Sequence, residues 1–153
     1  MKLTAKGRYA VMALADLATI NSDGPVTLAE IAERQDISIS YLEQLFAKLR
    51  RRGVVRGVRG PGGGYHLMRP ACETSIADII LAVDESIDTV ACDRHSELGC
   101  TGKTGRCLAH DLWDELGRHI YLFLNSVTLD DVLKRRVLGT AGGARFMEEG
   151  TRA

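Results

Sequence analysis

Residues 27–69 read TLAEIAERQDISISYLEQLFAKLRRRGVVRGVRGPGGGYHLMR and specify the architecture of the chain. Thr27 and Glu30 have the spacing of a capping box, which predicts the start of a short helix. Ser38 is placed to cap a second helix, whose apolar residues recur at the three- and four-residue spacing of one buried face. Two β-prone runs flank the turn-forming sequence GPGGG at 60–64 and predict a hairpin. Two helices joined by a tight turn and followed by a basic hairpin are typical of a winged helix-turn-helix.

The flanking sequence predicts four more helices and a tail. One helix precedes the motif at about 7–20, a short one starts at Ser75, a long one covers about 107–125, and a last one opens at Thr128. The predicted fold class is therefore mainly α with a small β hairpin. We expect three regions, which are a winged helix-turn-helix DNA-binding domain over 1–74, a cysteine loop with dimerisation helices over 75–136, and a flexible tail over 137–153.

Charge is distributed unevenly along a chain whose formal net charge is zero. Residues 1–70 carry 11 basic and 6 acidic side chains, a net of +5, whereas residues 71–153 carry 9 and 14, a net of −5. Zero net charge excludes a uniformly basic, histone-like protein, but the positive half favours a polyanionic partner. The apolar runs are shorter than the roughly 18–20 residues of a membrane span, and no signal peptide is evident. We expect a cytoplasmic protein with no membrane partner and with reduced cysteines.

The polar side of the second helix and the hairpin carry side chains suited to double-stranded DNA. Gln44 can make paired hydrogen bonds with a base, Ser40 can donate or accept, and Tyr41 can contact the backbone or a thymine methyl group. Arginines can neutralise phosphates, and Arg59 beside the turn could enter a minor groove. A solvated polar face is the alternative, and the hairpin and the net +5 favour DNA. The candidate DNA-contacting residues are Ser40, Tyr41, Gln44, Arg50, Arg51, Arg56, Arg59, Gly60 and Pro61.

The glycine run at 60–64 is interpreted as a hairpin turn. A phosphate-binding loop would continue with Gly-Lys-Ser or Gly-Lys-Thr and lead into a helix, whereas Tyr65 begins a strand here. Glycine is expected at a hairpin tip because such turns need positive φ.

Three of the four cysteines are clustered. Cys92, Cys100 and Cys107 lie within 16 residues, and His110 follows three positions after the last of them. Cys107 and His110 would share one face of the long helix. Three thiolates and one imidazole suit either a zinc ion or an iron–sulfur cluster. The spacing matches neither the usual zinc-finger pairs nor the common ferredoxin runs, free thiols are an alternative, and His95 is a rival ligand.

The remaining reactive side chains receive structural interpretations. Cys72 is interpreted as a small packing residue, and the acidic group Asp84, Glu85 and Asp88 as solvated surface. No pattern of a nucleophile with its base is present, so we expect a protein that is not an enzyme.

The long helix over 107–125 carries an apolar stripe with Trp113 beside it. A domain of about 75 residues cannot cover that stripe, so we expect a homodimer. A two-fold dimer would also present two recognition helices to a palindromic site. The alternative is packing of the stripe on the first helix of the same chain.

Four strings of this sequence closely resemble the IscR family, the iron–sulfur cluster regulators among bacterial winged-helix repressors. They are LTAKGRYAV at 3–11, SYLEQLF at 40–46, VRGPGGGY at 58–65 and AVDES at 82–86. The resemblance covers about residues 1–136. The cysteine loop of this chain is a few residues longer than in that family.

The resemblance implies a homodimeric transcription regulator, mainly a repressor of iron–sulfur cluster biogenesis genes, that senses cluster status. By similarity, one 2Fe–2S cluster per subunit would be held by Cys92, Cys100, Cys107 and His110, with the iron–sulfur assembly machinery as the cluster donor. It also implies two kinds of operator, one of which is bound only when the cluster is present. Glu43 is assigned to that discrimination, because a carboxylate facing the major groove penalises a poorly matched site. A zinc-stabilised winged-helix interaction module without redox sensing is the alternative function.

Overall fold

A computed structural model of the chain describes residues 4–20, 24–89, 100 and 105–137. In chain order its elements are α1 (Ala5–Ile20), α2 (Leu28–Gln35), α3 (Ile39–Arg51), β1 (Val55–Val58), β2 (Gly64–Leu67), a 3-10 turn (Ala71–Glu73), α4 (Ile76–Ala82), α5 (His110–Ser126) and α6 (Leu129–Leu133). The predicted fold class, mainly α with a small β hairpin, is confirmed. Within the described ranges, no helix combines the length and apolar character that a membrane span requires.

Helices α2 and α3 begin at the predicted caps. The Thr27 hydroxyl accepts from the backbone N–H of Glu30, and the Glu30 carboxylate accepts from the N–H of Thr27 at 2.7 Å. That backbone hydrogen bond lowers the pKa of Glu30, because it stabilises the charged carboxylate. Asp36, at φ 52°, ends α2 in the left-handed conformation that Asp tolerates. Ser38 then caps α3, which completes the tight turn between the two helices.

The core lies where α1 packs against α2, α3, α4, α6 and β2. Leu14 of α1 and Leu42 and Phe46 of α3 are fully buried. Burial of each such side chain stabilises the fold by roughly 1.5–3 kcal/mol. Phe46 also makes an edge contact with Tyr65 of β2, with ring centroids 4.9 Å apart. The hairpin is therefore attached to α3 through the core.

The hairpin is a two-stranded antiparallel sheet with Val55 opposite Leu67. The outer edge of β2 is held, near the turn, by a further bridge to the residue before the cap of α2. The Val26 N–H donates to the Tyr65 carbonyl at 3.1 Å, and the Tyr65 N–H donates to the Val26 carbonyl at 2.8 Å. The hairpin is consequently fixed to the segment before α2 along the outer edge of β2, while the residues of its tip are exposed.

The long helix begins later than the sequence predicts. It starts at His110, and the His110 N–H donates to the Cys107 carbonyl at 3.0 Å in a turn that precedes the helix. The prediction that Cys107 and His110 share a helical face is therefore wrong. The apolar Leu108 suggested a helical residue, but its side chain is fully exposed in this turn.

Two further interpretations are corrected. Cys72 is exposed and does not serve as a packing residue, because the 3-10 turn that contains it buries none of its residues. Glu85 is buried, since its carboxylate accepts hydrogen bonds from the N–H groups of Thr4 and Gly7 at the start of α1. A negative charge at a helix N-terminus interacts favourably with the positive end of the helix dipole.

The division into regions 1–74, 75–136 and 137–153 stays a prediction. Buried residues of α1, α3, α4 and α6 belong to one hydrophobic cluster. The expected tail beyond residue 137, together with Cys92 and His95, lies outside the described residues.

Candidate nucleic-acid interface and metal centre

Helix α3 presents a polar face to solvent because its apolar residues fall on the opposite side. Leu42, Leu45, Phe46 and Leu49 are buried and hold the helix in the core. Of the predicted base-reading residues, Ser40, Glu43 and Gln44 are exposed on this face, as is the predicted phosphate contact Arg51. Tyr41 differs, since it is half-buried and makes an edge contact with Tyr9 at 5.8 Å between ring centroids. Only part of the Tyr41 ring can therefore reach a partner.

The predicted hairpin residues Arg56, Arg59, Gly60 and Pro61 are all exposed. Gly60 and Gly62 have φ values of 95° and 72°, which confirms the prediction that the tip needs positive φ. A groove of about 420 Å³ separates α3 from the hairpin, and Arg50 and Arg59 both line it. Two guanidinium groups beside one groove form a suitable site for backbone phosphates.

The basic residues of this face fall into two sets. In the described part of the chain, Arg50, Arg51, Arg56 and Arg59 form no ion pair, so their charges are available to phosphates. Lys48 of α3 and Arg52, the C-cap of that helix, instead contact the carboxylate of Asp84. Sequence reasoning missed this contact, because no local pattern connects α3 with the end of α4.

Two of the predicted metal ligands lie in direct contact. The Sγ of Cys100 lies 2.9 Å from Nδ1 of His110, and the imidazole is nine-tenths buried at the first position of α5. Cys107 precedes His110 by one turn and is half-buried. The contact is within hydrogen-bond distance, and thiolate and imidazole are donor types that suit a zinc ion or an iron–sulfur cluster. No group of three such ligands forms within the described ranges, and Cys92 lies outside them.

The chain segment that leads towards Cys92 is fixed on α5. The Thr89 hydroxyl donates to the Trp113 carbonyl, and the absence of a side chain at Gly117 makes room for it. A Cβ at Gly117 would lie 2.7 Å from the Thr89 hydroxyl oxygen. Thr89 therefore anchors this segment against the same helix that carries His110.

A helix-turn-helix packed on the core, an exposed polar face on α3 and a basic hairpin are the features of a winged-helix, DNA-binding transcription regulator. Residues 3–135 match the Rrf2 family of iron-dependent transcriptional regulators. The chain belongs to that family.

Individual relatives agree with this assignment. The chain is 53% identical over 134 residues to the HTH-type transcriptional regulator IscR of Vibrio atlanticus, which covers 88% of this chain and 76% of that protein. The solved structure of T. potens IscR is 38% identical, with a TM-score of 0.71 over 89% of this chain and 88% of that one. The structure of CymR, the global cysteine regulator of B. subtilis, is 30% identical, with a TM-score of 0.72 over 88% and 98%. The resemblance to the IscR family is confirmed, as is the expectation that the chain is not an enzyme, because these relatives are transcription regulators.

Proposed function

We propose that the chain is a homodimeric regulator, mainly a repressor, of iron–sulfur cluster biogenesis genes, and that it senses cluster status. One 2Fe–2S cluster per subunit would be held by Cys92, Cys100, Cys107 and His110. The observation that supports this ligand set is the 2.9 Å contact between Cys100 Sγ and His110 Nδ1, which joins two positions ten residues apart. The names of the IscR relatives support the choice of an iron–sulfur group.

A bound cluster would supply an iron-dependent, redox-active link between the cysteine loop and the start of α5. His110 offers Nδ1 to this site from a helix that is already formed. Thr89 holds the approaching segment on the same helix. Ligand binding at Cys92 would restrict the path of the cysteine loop.

Anaerobic purification tests this function directly. A brown protein with visible absorption and with equal amounts of iron and acid-labile sulfide supports the proposal. The second candidate is the zinc-stabilised winged-helix interaction module, which the same Cys100–His110 pair also suits. A colourless protein that carries zinc would favour that candidate. The iron–sulfur assembly machinery as cluster donor and a cytoplasmic location belong to the proposal as well.

DNA recognition is assigned to two sets of residues with separable roles. Gln44 and its neighbours Ser40, Tyr41 and Glu43 would read base edges from α3. The second set would contact the DNA backbone and so position the protein on the duplex. It comprises Arg50 and Arg51 of α3 and Arg56, Arg59, Gly60 and Pro61 of the hairpin. Glu43 is exposed on the reading face, where it could disfavour operators that leave its carboxylate without a donor.

Gln44→Ala and Arg51→Ala are expected to separate these roles. Loss of the Gln44 amide should relax base preference at one operator position by about 1–3 kcal/mol, since base contacts carry the discrimination. Loss of the Arg51 guanidinium should weaken binding to all duplexes alike, because phosphates carry no sequence information. Competition binding with a library of singly substituted operators measures both effects. Equal losses on every duplex for both variants would contradict the assignment.

Dimerisation is assigned to α5, which leaves a row of large apolar side chains exposed. They are Leu112, Leu116 and Phe123 on one face of the helix, with Trp113 beside them. A second copy related by a two-fold axis would cover this row and set two recognition helices on a palindromic site.

Leu112→Glu is expected to produce a folded monomer. The Leu112 side chain is 63% exposed, so a carboxylate there leaves the monomer core intact but would be buried in the dimer. We expect the dimer to weaken by about 2–4 kcal/mol and DNA affinity to fall with it. Sedimentation equilibrium measures the change, and Met68→Glu, at an exposed apolar position outside α5, is the matched control. If Leu112→Glu dimerises as strongly as the wild type, α5 does not form the interface.

A further inference from the structure

The turn after α4 places an aspartate where glycine is most favourable. The Asp84 N–H donates to the Leu81 carbonyl at 3.2 Å and the Glu85 N–H to the Ile80 carbonyl at 3.4 Å, which is the pattern of a Schellman motif. Asp84 occupies the left-handed position of that motif with φ 57°. A side chain is unfavourable in this conformation, although less so for Asp than for most residues. The backbone alone therefore gives no reason for aspartate at this position.

The contacts of the Asp84 side chain lie on α3. Its carboxylate is 3.0 Å from Nζ of Lys48 and 3.6 Å from Nη2 of Arg52. Lys48 and Arg52 are one helical turn apart and lie on the side of α3 that faces α4, whereas Arg50 faces the hairpin. The hydrogen bond from Lys48 is the main cause of a lowered pKa at Asp84, so the carboxylate is charged at neutral pH.

The Asp84 carboxylate lies beside the C-terminal part of α3, where the basic residues of that helix are concentrated. Lys48, Arg50, Arg51 and Arg52 bring four positive charges to the last turns of the recognition helix. Asp84 occupies two of them, and the two others form no ion pair within the described part of the chain. A carboxylate that contacts a lysine and an arginine has the charge and the acceptor geometry of a phosphate.

We propose that Asp84 is an intramolecular competitor of backbone phosphates for Lys48 and Arg52. It limits the sequence-independent affinity of the recognition helix and leaves base reading to the exposed polar face. The pairs are solvent-accessible, so they are weak enough for a phosphate to replace the carboxylate. This inference rests on the DNA binding in the proposed function, but it does not depend on the cluster.

Asp84→Asn tests the proposal, because asparagine keeps the size of the side chain and tolerates the left-handed conformation. Asp130→Asn is the matched control, since Asp130 also contacts a lysine and an arginine, Lys134 at 2.7 Å and Arg136 at 3.1 Å, but on α6. Both variants change the net charge equally. The probes are a mixed-sequence duplex and a duplex selected from a randomised library by the wild-type protein. Fluorescence anisotropy follows binding between about 50 and 200 mM salt.

If about three phosphates per subunit are neutralised, the wild-type dimer should show a log–log salt slope of roughly −5. Asp84→Asn is expected to steepen that slope by about 1–2 and to raise affinity for the mixed-sequence duplex about three- to tenfold at the lowest salt. Asp130→Asn should match the wild type. Lys48→Gln in the Asp84→Asn background should remove part of the gain, and Asp84→Gly should reproduce it with a relaxed backbone.

Several outcomes would overturn the inference. An unchanged slope in Asp84→Asn, or an equal change in Asp130→Asn, means that Asp84 does not compete with phosphates. Weaker binding without a change in slope means that Asp84 only orients α3. A wild-type slope near zero is a different failure, because it refutes DNA binding by the proposed face itself.

Discussion

Cys100→Ala is expected to yield a folded, colourless protein that retains little iron or sulfide after anaerobic reconstitution. Cys100 contacts Nδ1 of His110 directly, and its loss would leave an incomplete ligand set on the cysteine loop. Even residues that merely orient metal ligands alter metal affinity by about 10–100-fold when mutated, so loss of a ligand should do at least as much. The fold should persist, because Cys100 does not belong to the buried core. Visible absorption with iron and sulfide assays measures the result, and circular dichroism verifies the fold.

Cys72→Ala is the matched control for this experiment. Cys72 is a thiol of the same chain that is exposed in the 3-10 turn and is not one of the proposed ligands. This variant should retain the wild-type spectrum and metal content. A wild-type spectrum in Cys100→Ala, or a loss of iron in Cys72→Ala, would show that the proposed ligand set is wrong.

The elements that the sequence predicted well are those whose signals are local. The caps at Thr27, Ser38 and Ser75 each involve a hydrogen bond to a residue three positions later, so a short string of sequence contains both partners. The apolar faces of α3 and α4 are similarly periodic over a few turns. The exposed polar face of α3 could therefore be predicted as well, because it is the side opposite the buried apolar residues.

Contacts between distant parts of the chain could not be predicted in this way. The carboxylate of Glu85 accepts from the Gly7 N–H, 78 residues earlier. Asp84 contacts Lys48 across 36 positions, and both carboxylates belong to a run that looks like ordinary acidic surface. The start of α5 was also misplaced, because Ala109 caps it without a side-chain hydrogen bond and leaves no local signal.

The glycine run at 60–64 contains both a locally predictable feature and a contact with a distant part of the chain. Positive φ at Gly60 and Gly62 follows from the turn that the sequence predicts. Gly64 is required for another reason, which depends on a segment almost 40 residues earlier. A Cβ at Gly64 would lie 2.5 Å from the carbonyl oxygen of Val26 and 2.6 Å from its carbonyl carbon.

Gly64→Ala is therefore expected to destabilise the domain by about 2–4 kcal/mol and to weaken DNA binding. The obstructing atoms belong to the backbone, so they cannot move aside as a flexible side chain would. Relief of the clash requires separation of Val26 from Tyr65, which breaks the hydrogen bonds of 3.1 Å and 2.8 Å on the outer edge of β2. The hairpin that carries Arg59 would then shift relative to α3. Urea denaturation measures the change in stability, and anisotropy with a duplex measures the change in affinity.

Gly57→Ala tests whether any added side chain destabilises the hairpin, or only one at Gly64. Gly57 lies on the neighbouring strand opposite Tyr65, and a Cβ there would lie 3.7 Å from Cε1 of that ring, an ordinary contact distance. We expect a change within about 0.5 kcal/mol, as for most surface substitutions, with unchanged affinity. If Gly57→Ala and Gly64→Ala destabilise equally, the loss arises from the strands themselves. A loss confined to Gly64→Ala means that the bridge to Val26 fixes the orientation of the hairpin, because only that position meets the backbone of the segment before α2.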